Sequence, residues 1–282
     1  MTKLLSESQV AAYEHDGYLF PIRVLPEADM AGYRARLAQL EASEGGTLTK
    51  RTNQKPHLLL PWLNELIRHP KILDAVEDVL GPDLLCWGSG FFAKRPGDGG
   101  YVSWHQDSTY WGLSEPDVTT AWIAFTPSFK ANGCMRVVPD THKKDQLPHA
   151  DTFAQDNLLS RGQEIAVEVD ENQAVDVVLQ PGEMSLHHVR LVHGSEPNTS
   201  DQPRIGYAVR YIPTRIQQIK GIRDSATLVR GVDRFGNFDV EPTPRTDFDP
   251  ECVAYHTAML ERHTAILYAG AEKRPAYAEA LM

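Results

Sequence analysis

The motif Trp104-His105-Gln106-Asp107 is the most informative part of the sequence, and we interpret it together with a second motif, Leu191-Val192-His193-Gly194-Ser195. Residues i and i+2 of a β-strand point to the same face, so His105 and Asp107 are predicted to aim at one point inside a barrel. The next inward-facing residue of that strand is too far along it to join them. His193, at the end of another predicted strand, supplies the third group.

These side chains indicate a metal site. Two imidazoles and one carboxylate form the facial triad that holds non-haem Fe(II) and leaves coordination positions open. The predicted metal ligands are therefore His105, Asp107 and His193. Residues 184–193 are predicted to form one strand, on which His187 shares the face of His193 and His188 points the opposite way. The glycine and serine that follow His193 favour it over these two rivals.

An arginine begins the next predicted strand. Arg204 lies beyond the turn-forming residues 194–203 and starts a run to residue 211. Its planar guanidinium is suited to clamp a carboxylate with two hydrogen bonds. Gly206, Ala208 and Arg210 share its face, and the small residues leave room for a ligand. Arg210 is interpreted either as a second inward-facing cation for an anionic substrate or as half of an ion pair at the barrel rim.

In these motifs the chain resembles the phytanoyl-CoA dioxygenase family of Fe(II)/2-oxoglutarate oxygenases. The matching motifs stand in the family's order across about residues 7–215, and they are 104–107, 132–139, 181–183, 193–195 with Asn198, and Arg204. The resemblance implies a mainly β fold with flanking helices, built on a double-stranded β-helix, which is a cupin-like jelly-roll. It also implies Fe(II) as the cofactor and 2-oxoglutarate and O2 as cosubstrates. The implied reaction hydroxylates an unactivated carbon and releases succinate.

The resemblance assigns further residues to 2-oxoglutarate. Arg204 and Ser195 are expected to hold its far carboxylate. Lys94 stands where related oxygenases have a lysine that helps to hold the oxo-acid, although it also fits an exposed lysine at a strand end. Trp122 matches a family position beside the oxo-acid.

The predicted substrate contacts are Gln106, Trp111, His57 and Arg210. Trp111 matches a position that lines the substrate pocket of oxygenases of the ectoine-hydroxylase type. The polar stretch 45–57 is either a plain solvated loop or a lid that brings His57 to the substrate.

Two positions limit the reaction and the substrate. Related halogenases have a small residue in place of Asp107, so the carboxylate favours hydroxylation. Gly88 stands where the ectoine-hydroxylase type has a glutamine that contacts substrate, which argues against ectoine. The predicted substrate is a small anionic or zwitterionic metabolite, such as an amino acid-like compound, a quaternary amine or an aminophosphonate.

Composition narrows the class of protein. The chain has 282 residues and a formal net charge of -10, which argues against nucleic acid or an anionic membrane as a partner. Three cysteines without C-x-x-C spacing, and the lack of a long apolar run, predict a reduced, cytoplasmic protein. Nothing in the pattern indicates an oligomeric state.

One domain is predicted over residues 1–282. It consists of a helical part at about 1–82, the jelly-roll core at about 83–215, and a decoration of loop and helix at about 216–282. Helices are expected from Ser6 to about Gly17, at 26–44, at 64–81 and at 250–267. The polar insertion 143–180 is expected to be a surface excursion that returns through residues 174–179.

Two alternatives remain. The first is a cupin-like module without oxygenase activity, either a metal-dependent isomerase or a non-catalytic small-molecule binding protein, which would have no use for Arg204 or Ser195. The second is a rival metal site built from His142 and His149.

Overall fold

The computed structural model describes residues 2–154, 156–269 and 271. Within these residues, five helices flank the sheets, and they are α1 (Glu7–Asp16), α2 (Glu27–Ser43), α3 (Pro61–Leu66), α4 (Pro70–Leu80) and α5 (Pro250–Leu267). Ser6 and Gln9 form the capping box that starts α1. The helix predicted at 64–81 is two helices, because Pro70 lacks the amide hydrogen that would continue α3.

Thirteen strands are described. They are β1 (Tyr18–Arg23), β2 (Leu84–Lys94), β3 (Val102–His105), β4 (Thr119–Ala124), β5 (Met135–Val138), β6 (His149–Asp151), β7 (Gln163–Ile165), β8 (Val175–Val177), β9 (Glu183–His188), β10 (Val192–Ser195), β11 (Arg204–Pro213), β12 (Ser225–Arg230) and β13 (Asp239–Val240). Seven form one sheet in the order β1-β9-β4-β11-β2-β12-β13, and four form a second in the order β3-β10-β5-β8. The remaining pair, β6 and β7, forms a separate hairpin-like sheet.

The large sheet separates two apolar layers. Alternate residues of β11, Tyr207 and Tyr211 among them, pack with the N-terminal helices on its outer face. Ala208, between them in sequence, packs inside with residues of the small sheet such as Val137. Because the side-chain period of a strand is two, the same alternation turns Arg204 and Arg210 toward the interior. The jelly-roll interior therefore combines apolar packing with buried polar groups, and these two cations are among them.

The structure corrects three predicted boundaries. Residues 184–193 form two strands in different sheets, β9 and β10, joined by a turn. The large sheet includes β1 and β12, so the core is wider than 83–215. The insertion 143–180 is not only a surface excursion, because it contributes β8 to the small sheet.

The predicted helix at 250–267 is confirmed as α5, whereas residues 270 and 272–282 of the predicted C-terminal decoration lie outside the described residues. Among the helices that are described, none combines the length and the apolar character needed to cross a lipid bilayer.

Candidate active site

The structure brings His105, Asp107 and His193 together. Their ligand atoms all lie within 4.8 Å of one another, and all three residues are buried. His193 on β10 is the cross-strand partner of His105 at the end of β3. Asp107 is not on that strand, because β3 ends at His105 and Asp107 begins a 3-10 helix. Its amide hydrogen bond to the carbonyl of Val189, at 3.0 Å, fixes the turn that returns it to the two imidazoles.

Hydrogen bonds orient both imidazoles. Nδ1 of His105 donates to the carbonyl of Ser103 at 2.9 Å, and Nδ1 of His193 donates to the carbonyl of Leu191 at 2.9 Å. In the neutral form of each ring the lone pair is then on Nε2, which is the atom that a metal requires. Nε2 of His105 lies 3.4 Å from Oδ1 of Asp107. This two-histidine, one-carboxylate donor set fits Fe(II).

The carboxylate is held in its ionised form. Burial alone would raise the pKa of Asp107, but the hydrogen-bonding contact with His105 and the electrostatic influence of His193 and Arg210 lower the pKa well below its usual range. An ionised, buried carboxylate between two imidazoles is a strong cation ligand.

The rival histidines are placed differently. His187 lies beside the group, with its Nε2 3.9 Å from Oδ2 of Asp107 and its ring centroid 4.9 Å from that of His193. His188 points away from the triad, and its Nδ1 accepts a hydrogen bond from the backbone amide of Arg190. His142 and His149 bond to backbone atoms, so the rival metal site is not formed.

Beside the triad lies a small cavity with a cationic wall. The cavity has a volume of about 40 Å³ and is lined by His105, Asp107, His193, Ser195, Trp122 and Arg204 among others. Arg204 is 2% exposed, and it donates to the carbonyl of Gly133 at 3.0 Å and to Oγ of Ser195 at 3.3 Å. Burial lowers the pKa of Arg204 to about 10, which leaves it charged at neutral pH.

No carboxylate of the described residues pairs with Arg204, whose hydrogen-bond partners are neutral oxygen atoms. Its guanidinium carbon lies 5.4 Å from the ring centroid of Trp122. A buried cation without a counter-ion is costly unless a ligand supplies the negative charge. The cavity therefore fits an anion that reaches from Arg204 toward the triad, as a 2-oxo dicarboxylate does.

Lys94 lies behind this cavity. Its Nζ donates to the carbonyl of Ser195 at 3.0 Å, to Oγ of Ser195 at 2.6 Å and to the carbonyl of Glu196. Burial and the neighbouring Arg204 lower the pKa of Lys94 to about 7. Three oxygen atoms occupy its donors, so Lys94 positions Ser195 and does not face the oxo-acid cavity. It is also fully buried, which corrects the alternative of an exposed strand-end lysine.

A larger cavity of about 540 Å³ adjoins the small one, with Asp107, Phe92 and Arg210 lining both. Trp111 lines it, as predicted for a substrate contact. Its walls also include residues 157–160 and six residues of the polar stretch 45–57, so this stretch covers the cavity and is not a plain solvated loop; the six are Thr47, Leu48, Lys50, Asn53, Gln54 and Lys55. The volume suits a small-molecule substrate.

Two predicted substrate residues, Gln106 and His57, are not among the residues that line either cavity. The amide of Gln106 donates to the carbonyl of Arg190 at 2.7 Å, and its oxygen accepts from the amide of Leu147 at 2.7 Å. It ties the segment that carries the metal ligands to two neighbouring segments. His57 is fully buried, with Nδ1 2.6 Å from Oγ of Ser89 and Nε2 3.4 Å from Glu241.

Sequence reasoning missed two cavity residues. Trp87 on β2 and His263 on α5 both line the large cavity, with ring centroids 5.6 Å apart. Trp87 stands in an apolar run, and His263 belongs to the helix interpreted as decoration. Neither position carries a local signal of a binding role.

Comparison with known proteins agrees with this geometry. Residues 13–206 match the family model described as phytanoyl-CoA dioxygenase (PhyH). The chain belongs to the phytanoyl-CoA dioxygenase family. The family resemblance and the jelly-roll fold class predicted from the sequence are therefore confirmed, together with the predicted enzyme class, a 2-oxoglutarate-dependent dioxygenase.

Individual members of the family and related structures are similar over most of the chain. A probable phytanoyl-CoA dioxygenase of Caenorhabditis elegans is 26% identical over 74% of this chain and 75% of its own length. A probable alpha-ketoglutarate-dependent hypophosphite dioxygenase of Stutzerimonas stutzeri is 32% identical over 60% of this chain and 61% of its own length. Because that match spans less than two thirds of the relative, it carries no substrate across.

Two solved structures extend the likeness to the fold. The non-heme monooxygenase ThoJ, in its apo form, is 35% identical with a TM-score of 0.81, covering 92% of this chain and 97% of its own. CytC3 with Fe(II) and alpha-ketoglutarate is 26% identical with a TM-score of 0.66, covering 88% and 97%. The predicted cofactor and cosubstrate, Fe(II) and 2-oxoglutarate, agree with this neighbour and with the donor set found here.

Proposed function

We propose that this protein hydroxylates an unactivated carbon of a small metabolite that carries an anionic group. In this proposal Fe(II) is held by His105, Asp107 and His193, and 2-oxoglutarate is held by Arg204 and Ser195. Bound iron and 2-oxoglutarate supply the oxidising chemistry, with O2 consumed and succinate and carbon dioxide released. The protein's own residues hold the reactants and exclude water.

The observation that carries the substrate class is Arg210. It lines the large cavity next to Asp107, and its buried Nε has no hydrogen-bond partner. Within the described part of the chain, no carboxylate lies within ion-pair distance of it, so it is not half of a rim ion pair. Its guanidinium carbon lies 5.3 Å from the ring centroid of Trp111 and 5.9 Å from that of Phe92. Asp107 influences Arg210 only from beyond ion-pair distance, so the guanidinium is available to an anionic group of a ligand.

The residue opposite Arg210 in the sheet supports this role. Gly88 on β2 is its cross-strand partner, and a Cβ built at Gly88 would lie 3.6 Å from Cδ of Arg210. A longer side chain at position 88 would therefore compete with the arginine for space. The glycine that argues against ectoine as substrate is thus the residue that lets Arg210 enter the cavity.

Each residue then has a defined task. Arg204 binds the far carboxylate of the oxo-acid in a site closed to solvent, while Lys94 keeps the hydroxyl of Ser195 turned toward Arg204. Arg210 binds the anionic group of the substrate close to Asp107, so that the carbon to be oxidised lies beside the metal. Asp107 occupies the ligand position that related halogenases leave free, which favours hydroxylation.

We also propose that the protein works in the cytoplasm. Its three cysteines, Cys86, Cys134 and Cys252, are buried free thiols, which supports a reducing environment.

Substrate-dependent succinate release tests the proposal. The protein with Fe(II), 2-oxoglutarate and O2 would be given a panel of small carboxylates, phosphonates and zwitterions, each paired with its neutral amide or ester. We expect release above the substrate-free background with anionic members only. Arg210→Leu should lower kcat/KM for the best member by roughly 10- to 100-fold, since a hydrogen bond to a charged group contributes about 1.5–3 kcal/mol.

The matched control is Arg215→Leu, which removes an arginine that already pairs with Glu115 and lies on the surface. It should leave kcat/KM unchanged. Turnover of neutral or acyl-CoA compounds alone, or an Arg210→Leu variant equal to the parent, would refute the anionic substrate.

A further inference from the structure

The large cavity contains a polar side chain that the proposed reaction does not use. His263 on α5 lines the cavity and is 8% exposed. Its Nδ1 is buried without a hydrogen-bond partner, and its Nε2 has none among residues 2–154, 156–269 and 271 either. A buried polar group without a partner costs about 1–3 kcal/mol, so such groups are normally satisfied. A partner that arrives with a ligand would offset this cost.

A row of rings connects His263 to Arg210. The ring centroid of Trp87 lies 5.6 Å from that of His263 and 4.9 Å from that of Trp111, and Arg210 lies over Trp111 at 5.3 Å. The indole Nε1 of Trp87 already donates to Asp224 at 2.7 Å, so Trp87 offers the cavity only its apolar surface. The row therefore has a cation at the metal end, an apolar middle and an imidazole at the far end.

We propose that His263 is a specificity-determining residue that binds a neutral hydrogen-bonding group of the substrate, such as a hydroxyl, an amide or a carbonyl. The inference rests on the proposed function, since the same substrate places its anionic group on Arg210. The two polar groups are separated by an apolar part that lies along Trp111 and Trp87.

The charge state of His263 decides that its partner is neutral. Burial lowers the pKa of His263 below its ordinary value, so the ring is uncharged at neutral pH. A neutral imidazole offers one N–H donor and one lone pair, and it does not attract a second anion. His263 also lies outside residues 13–206, the part that matches the family model. It thus belongs to a segment that can differ between relatives without touching the metal ligands.

Binding of paired probes tests this role without turnover. The probes are straight-chain ω-hydroxy carboxylates of graded length, each compared with the carboxylate that lacks the hydroxyl. Affinities are measured by calorimetry on the protein loaded with Ni(II) and 2-oxoglutarate. At the best length we expect the hydroxyl to improve affinity by roughly 5- to 10-fold, the effect of one added hydrogen bond of about 1 kcal/mol.

Variants of one position identify the donor. His263→Phe keeps a ring against Trp87 but has no nitrogen, and it should abolish the preference for the hydroxyl. His263→Gln restores hydrogen-bonding capacity and should recover part of it. Glu261→Gln, on the exposed face of α5, controls for changes to the helix and should behave as the parent.

The outcomes separate this inference from the proposed function. If carboxylates bind through Arg210 but no length shows a hydroxyl preference, or if His263→Phe keeps it, His263 has no such role while the anionic site stands. If no carboxylate binds at all, both the anionic substrate and the inference are wrong. A preference lost in His263→Phe and kept in Glu261→Gln supports the proposal.

Discussion

Replacing Arg204 with alanine should weaken 2-oxoglutarate binding far more than it weakens folding. The guanidinium is almost fully buried, and its described partners are neutral oxygen atoms. Its positive charge is therefore available to stabilise a bound carboxylate. Hydrogen bonds to charged groups contribute about 1.5–3 kcal/mol each. A loss of roughly 3 kcal/mol corresponds to a dissociation constant raised on the order of 100-fold.

The assay is an anaerobic titration of 2-oxoglutarate into protein that holds Fe(II). Binding is monitored through the visible charge-transfer band of the chelate. Arg204→Lys retains the charge without the planar fork and should fall between alanine and the parent. Thermal unfolding of each variant shows whether the fold is intact. If the folded alanine variant binds 2-oxoglutarate with the parent's dissociation constant, the assignment of Arg204 as the carboxylate clamp is wrong.

Three further predictions follow from buried contacts. The pKa of Lys94 is lowered to about 7, so its ammonium is lost as pH rises. The affinity for 2-oxoglutarate should therefore fall between about pH 6 and about pH 8 in the parent and stay level in a Lys94→Met variant. Calorimetry across this pH range checks the prediction. Gly206→Ala places a Cβ against the ring of Trp122, and this overpacking should cost about 1–3 kcal/mol, measured by thermal unfolding. Lys55→Met leaves Glu241 buried without the ammonium that lies 2.6 Å from it. Urea unfolding should show that the free energy of unfolding falls by about 3–5 kcal/mol and that a second substitution, Glu241→Leu, partly restores it. A Lys55→Met variant as stable as the parent would contradict this.

The part of the site that depends on short spacings could be predicted from the sequence. His105 and Asp107 lie two residues apart, and alternation along one strand turns Arg204 and Arg210 to the same face. These relations are local, so they survive errors in the surrounding fold. Even the mistaken single strand at 184–193 led to His193, because the turn that divides it leaves His193 opposite His105.

The walls of the substrate cavity could not be predicted in this way. The buried face of α5 is visible in the sequence, but its contact with Trp87 joins residues far apart in the chain. Gln106 and His57 illustrate the opposite error. Each is a polar residue in a suggestive place, but distant partners such as Arg190 and Glu241 already occupy its hydrogen-bonding atoms. Whether a polar group is free for a ligand is decided by tertiary packing.

The two histidine metal ligands and Arg204 lie on opposite sheets. His105 and His193 belong to strands of the four-stranded sheet, whereas Arg204 opens the central strand β11 of the seven-stranded sheet. A diacid bound by both would bridge the sandwich across its interior. Close-packed interiors resist compression, so the gap between the sheets is a nearly fixed length. We therefore expect the distance between the sheets to favour an oxo-acid of one chain length over shorter and longer homologues.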